Sequence, residues 1–540
     1  MNISPNMLWL YKTAVLTVLI CTMAIESPFG RVQVAGADGG QAEPTADSTQ
    51  DGQAAGTVQA KQTSAQLPIK KLSVFKKKLD ESVPRWQALY GVPGVSIGLI
   101  QDGQFTETLH YGYSDKKNKM PIEDGTLFQV GSISESLTAW GVLRLAEQGL
   151  LSLDDPVETY LSRWQLPGSP FDHNEVTLGR LLSHMAGLPS HRGYPGTLFH
   201  RPMQSIEQSL SGEGSFNQKV EIADEPGTEA IHSGAGYTIL QLVIEEVTGV
   251  PFEQYMAEQV LQPLGMSSST FWQEPLDSRL SKSYGFFGQE LPGYRFTESA
   301  AAGLQTTASD MMTFMLASMG SVTDNRPDLF TGELRDSAER GLLTEQFLVV
   351  EQDLFATELP DQRTLMYRSG DNRGWHAYYG FIPSEGDGIV ILTNSDYGVD
   401  LRQDVYHAWV EYQTGQMPEN YEYIVQKRKW NSALNLIVGA SLGLYVLVAG
   451  IRISNGTRKF LFRHQEAGYF KFLIRSVCLI ITGLLLVYAS YVWSIINLHM
   501  GVNTLVLLAL AWHAAFLATG FFPKKKRKAG PLLFQSKQLD

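Results

Sequence analysis

Phe128-Gln129-Val130-Gly131-Ser132-Ile133-Ser134-Glu135-Ser136-Leu137-Thr138-Ala139 is the stretch on which the reading of this chain turns. An apolar, strand-like run breaks at Gly131, and Ser132 opens a long amphipathic helix. A side chain at such a junction sits at the positive end of the helix dipole, and its own backbone N–H is one of the donors the helix leaves unpaired. Both features suit a serine that attacks a carbonyl, because the oxyanion so formed needs donors and positive potential.

Outward from that stretch the chain alternates strands, helices and strands again. Leu72 to Tyr90 has helical spacing in Leu72, Phe75, Leu79 and Trp86. Val95 to Gln101 and Gln104 to Tyr111 flank Asp102-Gly103, a type I′ turn signal that predicts a β-hairpin. After the Ser132 helix, Gly236-Tyr237 opens an apolar helix ending near Thr248-Gly249, and residues 302–310 turn into another. The irregular stretches 267–300 and 321–359 suit loops that wall a cleft. Tyr378 to Ile382 and Gly388 to Asn394 read as strands, and a helix from about Asp400 to Tyr412 follows. The sheet is therefore expected to join sequence-distant ends of the domain.

Composition narrows the function classes. A net charge of −12 argues against nucleic acid as a partner. The two cysteines, Cys21 and Cys478, both lie in apolar segments, which excludes a disulfide framework and a cysteine-based zinc site. Leu8 to Ile25 is apolar and Ala35-Gly36-Ala37 resembles a cleavage site, so residues 1–37 read as a signal peptide or N-terminal anchor. Residues 38–66 have almost no large apolar side chain and read as a disordered linker. Residues 67–415 form the folded domain and 416–432 a juxtamembrane linker. Ala433 to Ile451, Ser476 to Ile496 and Val502 to Phe522 are each near the ~20 residues that span a bilayer, so 433–522 is expected to hold three transmembrane helices. The lysines and arginines of the first loop and of the basic tail 523–540 place both in the cytoplasm, which leaves the folded domain outside. Lys427-Arg428-Lys429 falls on the outer side and runs against that assignment.

The Ser132 stretch resembles the first motif of the serine β-lactamase and penicillin-binding-protein family, closest to its class C branch. The resemblance covers roughly Leu72 to Tyr412. It implies an α/β fold of the α+β type: an antiparallel sheet flanked by helices beside an all-helical lobe. The arrangement of leader, hydrolase-like domain and C-terminal spans is similar to that of membrane-bound prodrug-activating peptidases. Three motifs define the family site, and each is altered here. Where the family has a lysine three residues after the serine, this chain has Glu135. Where it has Tyr-x-Asn, this chain has His232-Ser233-Gly234. Where it has Lys or His, then a small residue and Gly, this chain has Arg368-Ser369-Gly370, followed by Asp371.

The resemblance implies an oxyanion hole from the backbone N–H groups of Ser132 and Asp371, with Arg368, Ser369, Gly370 and Asp371 as the substrate-binding strand. Backbone donors are indifferent to side-chain substitution. The groups that would take the serine proton are replaced, and a serine without a base is a weak nucleophile. Two readings follow. Either the site is a decayed one, on a protein weakly active or inactive toward β-lactams, or Ser132, His232 and Glu135 form a different acyl-transfer triad with His232 as base and Glu135 as orienter. Glu135 could instead pair with Arg368 and close the pocket. His184 and His376 read as structural histidines. No metal or other cofactor is expected. The expected partners are a peptide, amide or cell-wall-like small molecule and the lipid bilayer.

Overall fold

The computed structural model describes residues 72–457 apart from 191–192, 214–218, 274–276, 320–355 and 419–420, together with 500–522 and isolated helical positions between 473 and 484. The expected leader and linker at 1–66, nearly all of the 321–359 loop, the basic tail and most of the second apolar run lie outside the described residues.

Helix α1 (Leu72–Tyr90) places Phe75, Leu79 and Val83 on one buried face at four-residue spacing. Strands β1 (Gly94–Gln101) and β2 (Gln104–Asp115) form the expected hairpin, turning through Asp102 and Gly103 at φ of 53° and 68°. A short β3 (Met120–Pro121) extends its edge. Helices α2 (Ile133–Glu147), α3 (Gly234–Thr248) and α4 (Ala308–Ser318) come from the middle of the chain. Then β4 (Ala356–Glu358), β5 (Thr364–Asn372), β6 (Trp375–Ile382) and β7 (Asp387–Thr393) return to the sheet, and α5 (Gly398–Thr414) closes the domain. The seven strands lie in the order β3-β2-β1-β7-β6-β5-β4, with every neighbouring pair antiparallel. The chain's ends meet where β1 pairs β7, Val95 opposite Thr393 through Ile100 opposite Gly388.

Both faces of this sheet are covered, which is why Ile389-Val390-Ile391-Leu392 is apolar without alternation. Ile389 and Ile391 join the core formed with α1 and α5, around Phe75, Leu401, Val405 and Trp409. Val390 and Leu392 join the larger core of α2, α3 and α4, with Leu137, Ile239, Met312 and Met315. The fold is thus the expected mixed α/β arrangement, an antiparallel sheet with helices on both faces.

Beyond the domain, α6 (Tyr421–Ser454) is the one described helix long and apolar enough to cross a membrane. The segment expected as a juxtamembrane linker is helical from Tyr421 onward and is continuous with the apolar run. Helix α7 (Met500–Thr519) packs along α6, with the Tyr445 and Trp512 rings 4.7 Å apart and Trp512 Nε1 donating to Ser441 Oγ at 3.1 Å.

Candidate active site

Ser132 occupies the turn between Val130 and the first turn of α2. Gly131 reaches it with a φ of 52°, and the Ser134 hydroxyl pins the turn by donating to Gly131 O at 2.6 Å and accepting from Leu304 N at 3.0 Å. Ser132 itself makes no capping bond with its side chain. Among the described residues its hydroxyl has no hydrogen-bond partner, and it is part-exposed.

Strand β5 lies directly against this turn. A Cβ on Gly370 would stand 1.8 Å from Val130 O, and one on Gly131 would stand 2.5 Å from Asp371 N. Only glycines allow the two backbones to approach so closely. The Ser132 and Asp371 backbones are therefore neighbours, as an oxyanion hole requires. Strand alternation sends Arg368 toward Glu135 and Ser369 and Asp371 to the opposite face, so Ser369 does not share the side on which Arg368 sits. The Asp371 carboxylate is held there by His376 Nδ1 and by Arg402 Nη1 at 2.8 Å, with Arg402 also donating to Ala377 O at 2.7 Å. Burial alone would raise the pKa of Asp371, but the positive charges of Arg402 and His376 hold it far below the usual carboxylate range. His376, read from sequence as structural, thus braces the strand that carries the predicted oxyanion donor.

One turn up α2, Glu135 is 1% exposed. Arg368 Nη2 donates to its Oε2 in a buried ion pair. The same oxygen lies 3.3 Å from His232 Nε2 and 3.6 Å from His184 Nε2. Three nitrogens converge on Oε2, whereas Oε1 is buried with no hydrogen-bond partner. Burial would raise the Glu135 pKa; His232 and Arg368 outweigh it and hold the carboxyl ionised, at about 2. His232 Nε2 also lies 3.4 Å from Arg368 Nη2, so a single imidazole nitrogen faces both members of the ion pair.

His184 arrives from a turn that sequence reading did not connect to the site. It adopts a φ of 56° just after the helix Leu178–Leu182, and Ile231 N donates to its carbonyl at 3.0 Å, tying that turn to the His232 segment. Its ring stands 4.7 Å from that of His232. Burial, with the positive charges of His232 and Arg368, pushes its pKa well below 6.5 against the pull of Glu135, so it is neutral. Ser233 N–H donates to His184 Nδ1 at 3.3 Å, which leaves the ring proton on Nε2, facing Glu135.

Glu135, His184 and His232 offer ligand atoms within 4.8 Å of one another, the spacing of a small metal site. The donor chemistry does not fit one. A metal-bound histidine donates its second ring N–H outward, whereas the second nitrogen of His184 accepts a hydrogen bond. The place a metal would take beside Glu135 is filled by the Arg368 guanidinium.

The structure thus brings Glu135, His232 and Arg368 together around one carboxylate oxygen, and sets the Gly370-Asp371 backbone against the turn that carries Ser132. It adds His184, for which the sequence holds no spacing signal, and the Asp371 brace of Arg402 and His376. Comparison with known proteins bears on the family and the fold. The Beta-lactamase family profile matches residues 79–413. A beta-lactamase of Pseudomonas fluorescens is 27% identical over 368 residues, covering 62% of this chain and 97% of that protein. Among solved structures, the octameric penicillin-binding protein homologue from Pyrococcus abyssi superposes with a TM-score of 0.54 at 24% identity, over 65% of this chain and 81% of the other. A class C beta-lactamase does so with a TM-score of 0.50 at 22% identity, over 62% and 95%.

Proposed function

This chain belongs to the Beta-lactamase family, and from that premise we propose that it is a membrane-anchored, extracytoplasmic protein that binds a peptide, amide or cell-wall-like ligand and does not turn over β-lactams. One observation carries the reading: Glu135, which stands at the sequence position of the family's lysine, has its carboxylate paired with Arg368 in a buried ion pair. An ionised acid fixed by a buried guanidinium takes no proton, and the cation that would hold a substrate carboxylate is already occupied. The Ser132 hydroxyl touches no base, and loss of the base from an acyl-transfer unit costs several orders of magnitude in rate. The close approach of the Gly131-Ser132 turn to the Asp371 backbone leaves the two backbone donors available for a carbonyl oxygen. The anchoring half of the proposal is supported by α6 and by the lysine and arginine distribution, which favours three spans with a cytoplasmic tail. Protease added to intact cells should remove the domain and spare the tail; digestion of the tail alone would reverse the topology.

A second reading is favoured by the 3.3 Å contact of His232 Nε2 with Glu135. If Glu135 left Arg368, it would orient His232, whose Nδ1 would then serve Ser132 as base. Fluorophosphonate labelling separates the two. Binding without turnover predicts no adduct at Ser132 by mass spectrometry; an adduct that disappears in His232→Ala establishes the triad instead.

A further inference from the structure

Helix α6 does not hang from the domain; its first two turns are part of it. Ile424 is buried, and Tyr421 packs edge-on against His407 of α5 at 5.2 Å. Arg428 pairs with Asp404, lies 3.7 Å from Asp400, and donates to Gln403 Oε1 at 2.9 Å and to Tyr90 Oη at 3.2 Å. Tyr90 Oη donates in turn to Asp404 at 2.6 Å. The basic triplet that ran against the topology rule therefore contains a structural arginine, compensated by α5. Ala433, the start of the apolar run, is five residues further on, about 7 Å along a helix. Lipid headgroups occupy about 5–8 Å on each side of the hydrocarbon core. The lock at Arg428, and the ends of α1 and α5 that it grips, must then stand at headgroup depth.

The surface at that end suits the position. Leu89 is 61% exposed beside Tyr90, Trp430 is 74% exposed one turn above the apolar run, and Phe287 is 64% exposed. Phe287 sits at the tip of a turn whose Phe286 packs on Tyr397, immediately before α5. Beside this turn, the link from β2 to β3 exposes Lys116, Lys117 and Lys119, and the Lys116 amide donates to Tyr284 Oη at 2.7 Å. In a chain of net charge −12, this end alternates lysines with exposed aromatic and aliphatic side chains. Aromatic rings prefer the membrane interface, and lysines add attraction to anionic headgroups.

We infer that the end of the domain carrying Leu89, Phe287 and the Lys116–Lys119 turn rests on the headgroups of the bilayer that α6 crosses, held there by the Arg428 lock. The inference rests on the membrane-spanning reading of α6, and the test separates the two. Full-length protein, with Cys21 and Cys478 replaced by Ser, is placed in lipid nanodiscs with and without phosphatidylglycerol. A fluorophore is attached to one new cysteine at a time. Phe287→Cys is expected to be quenched by a headgroup spin-labelled lipid several-fold more than Gln104→Cys, at the far end of the hairpin, and more strongly with phosphatidylglycerol. Arg428→Ala should lower that quenching toward the Gln104→Cys level while Ile437→Cys remains quenched by a chain-labelled lipid. Equal quenching of Phe287→Cys and Gln104→Cys, with Ile437→Cys quenched, overturns the docking. Failure to quench Ile437→Cys overturns the span on which it depends.

Discussion

The two halves of the candidate site differ in what defines them. On one side, the turn at Ser132 and the strand at Gly370-Asp371 are juxtaposed by backbone, through glycines that admit no Cβ. On the other, Glu135, His184, His232 and Arg368 meet through side chains around one carboxylate oxygen. The backbone half has the form that the family resemblance implies, while the side-chain half holds an acid and an imidazole at the positions where that resemblance implies an amine and a phenol. Geometry held by main chain survives replacement of the residues beside it; proton chemistry does not.

The contrast can be broken first at the ion pair. Arg368→Ala should leave Glu135 as an uncompensated buried charge and cost about 3–5 kcal/mol in urea unfolding. Pairing it with Glu135→Leu should restore most of that loss, because no buried charge then remains. A double variant as unstable as the single one would mean that packing around Arg368, and not its charge, holds this half together. The backbone half is probed by Gly370→Ala, whose Cβ would meet Val130 O; a loss of about 1–3 kcal/mol is expected from the displaced turn.

Acid distinguishes the halves more gently. The Glu135 pKa is depressed from 4.5 to about 2, so its contribution to stability is complete above about pH 4.5 and is lost as the pH falls toward 2. Unfolding midpoints should fall across that window in the wild type and less steeply in Glu135→Gln. The smallest effect belongs to Ser132→Ala. With no hydrogen bond to lose, its stability should stay within about 0.5 kcal/mol of the wild type; a larger drop would reveal a bonded serine.

The sequence was most legible where periodicity and turn chemistry act locally. The bounds of α1 agree at both ends, the Asp102-Gly103 hairpin turns as its residues demand, and α3 stops at Gly249 with a φ of 72°. Strand β5 was seen only as a motif, because Arg368-Ser369-Gly370-Asp371-Asn372 is polar; its burial comes from the turn and helices packed over it, which no pattern within the strand encodes. His184 reads as an ordinary turn residue because its partners lie 49 residues away in either direction. Glu135, by contrast, announced the changed site by charge alone, and its alternative partners, His232 and Arg368, both prove to face the same oxygen. Arg428 stood against the topology assignment in the sequence because its counter-charges, Asp400 and Asp404, belong to the preceding helix.

The most direct test of the account compares acylation of the wild type with that of Glu135→Lys/His232→Tyr, which returns the family's amine and phenol to an intact backbone half. Both proteins are incubated with a fluorescent penicillin, and the mass of the peptide containing Ser132 is measured. The account predicts no adduct on the wild type and an adduct on the double variant. An adduct at Ser132 of the wild type, lost in the double variant, would contradict it.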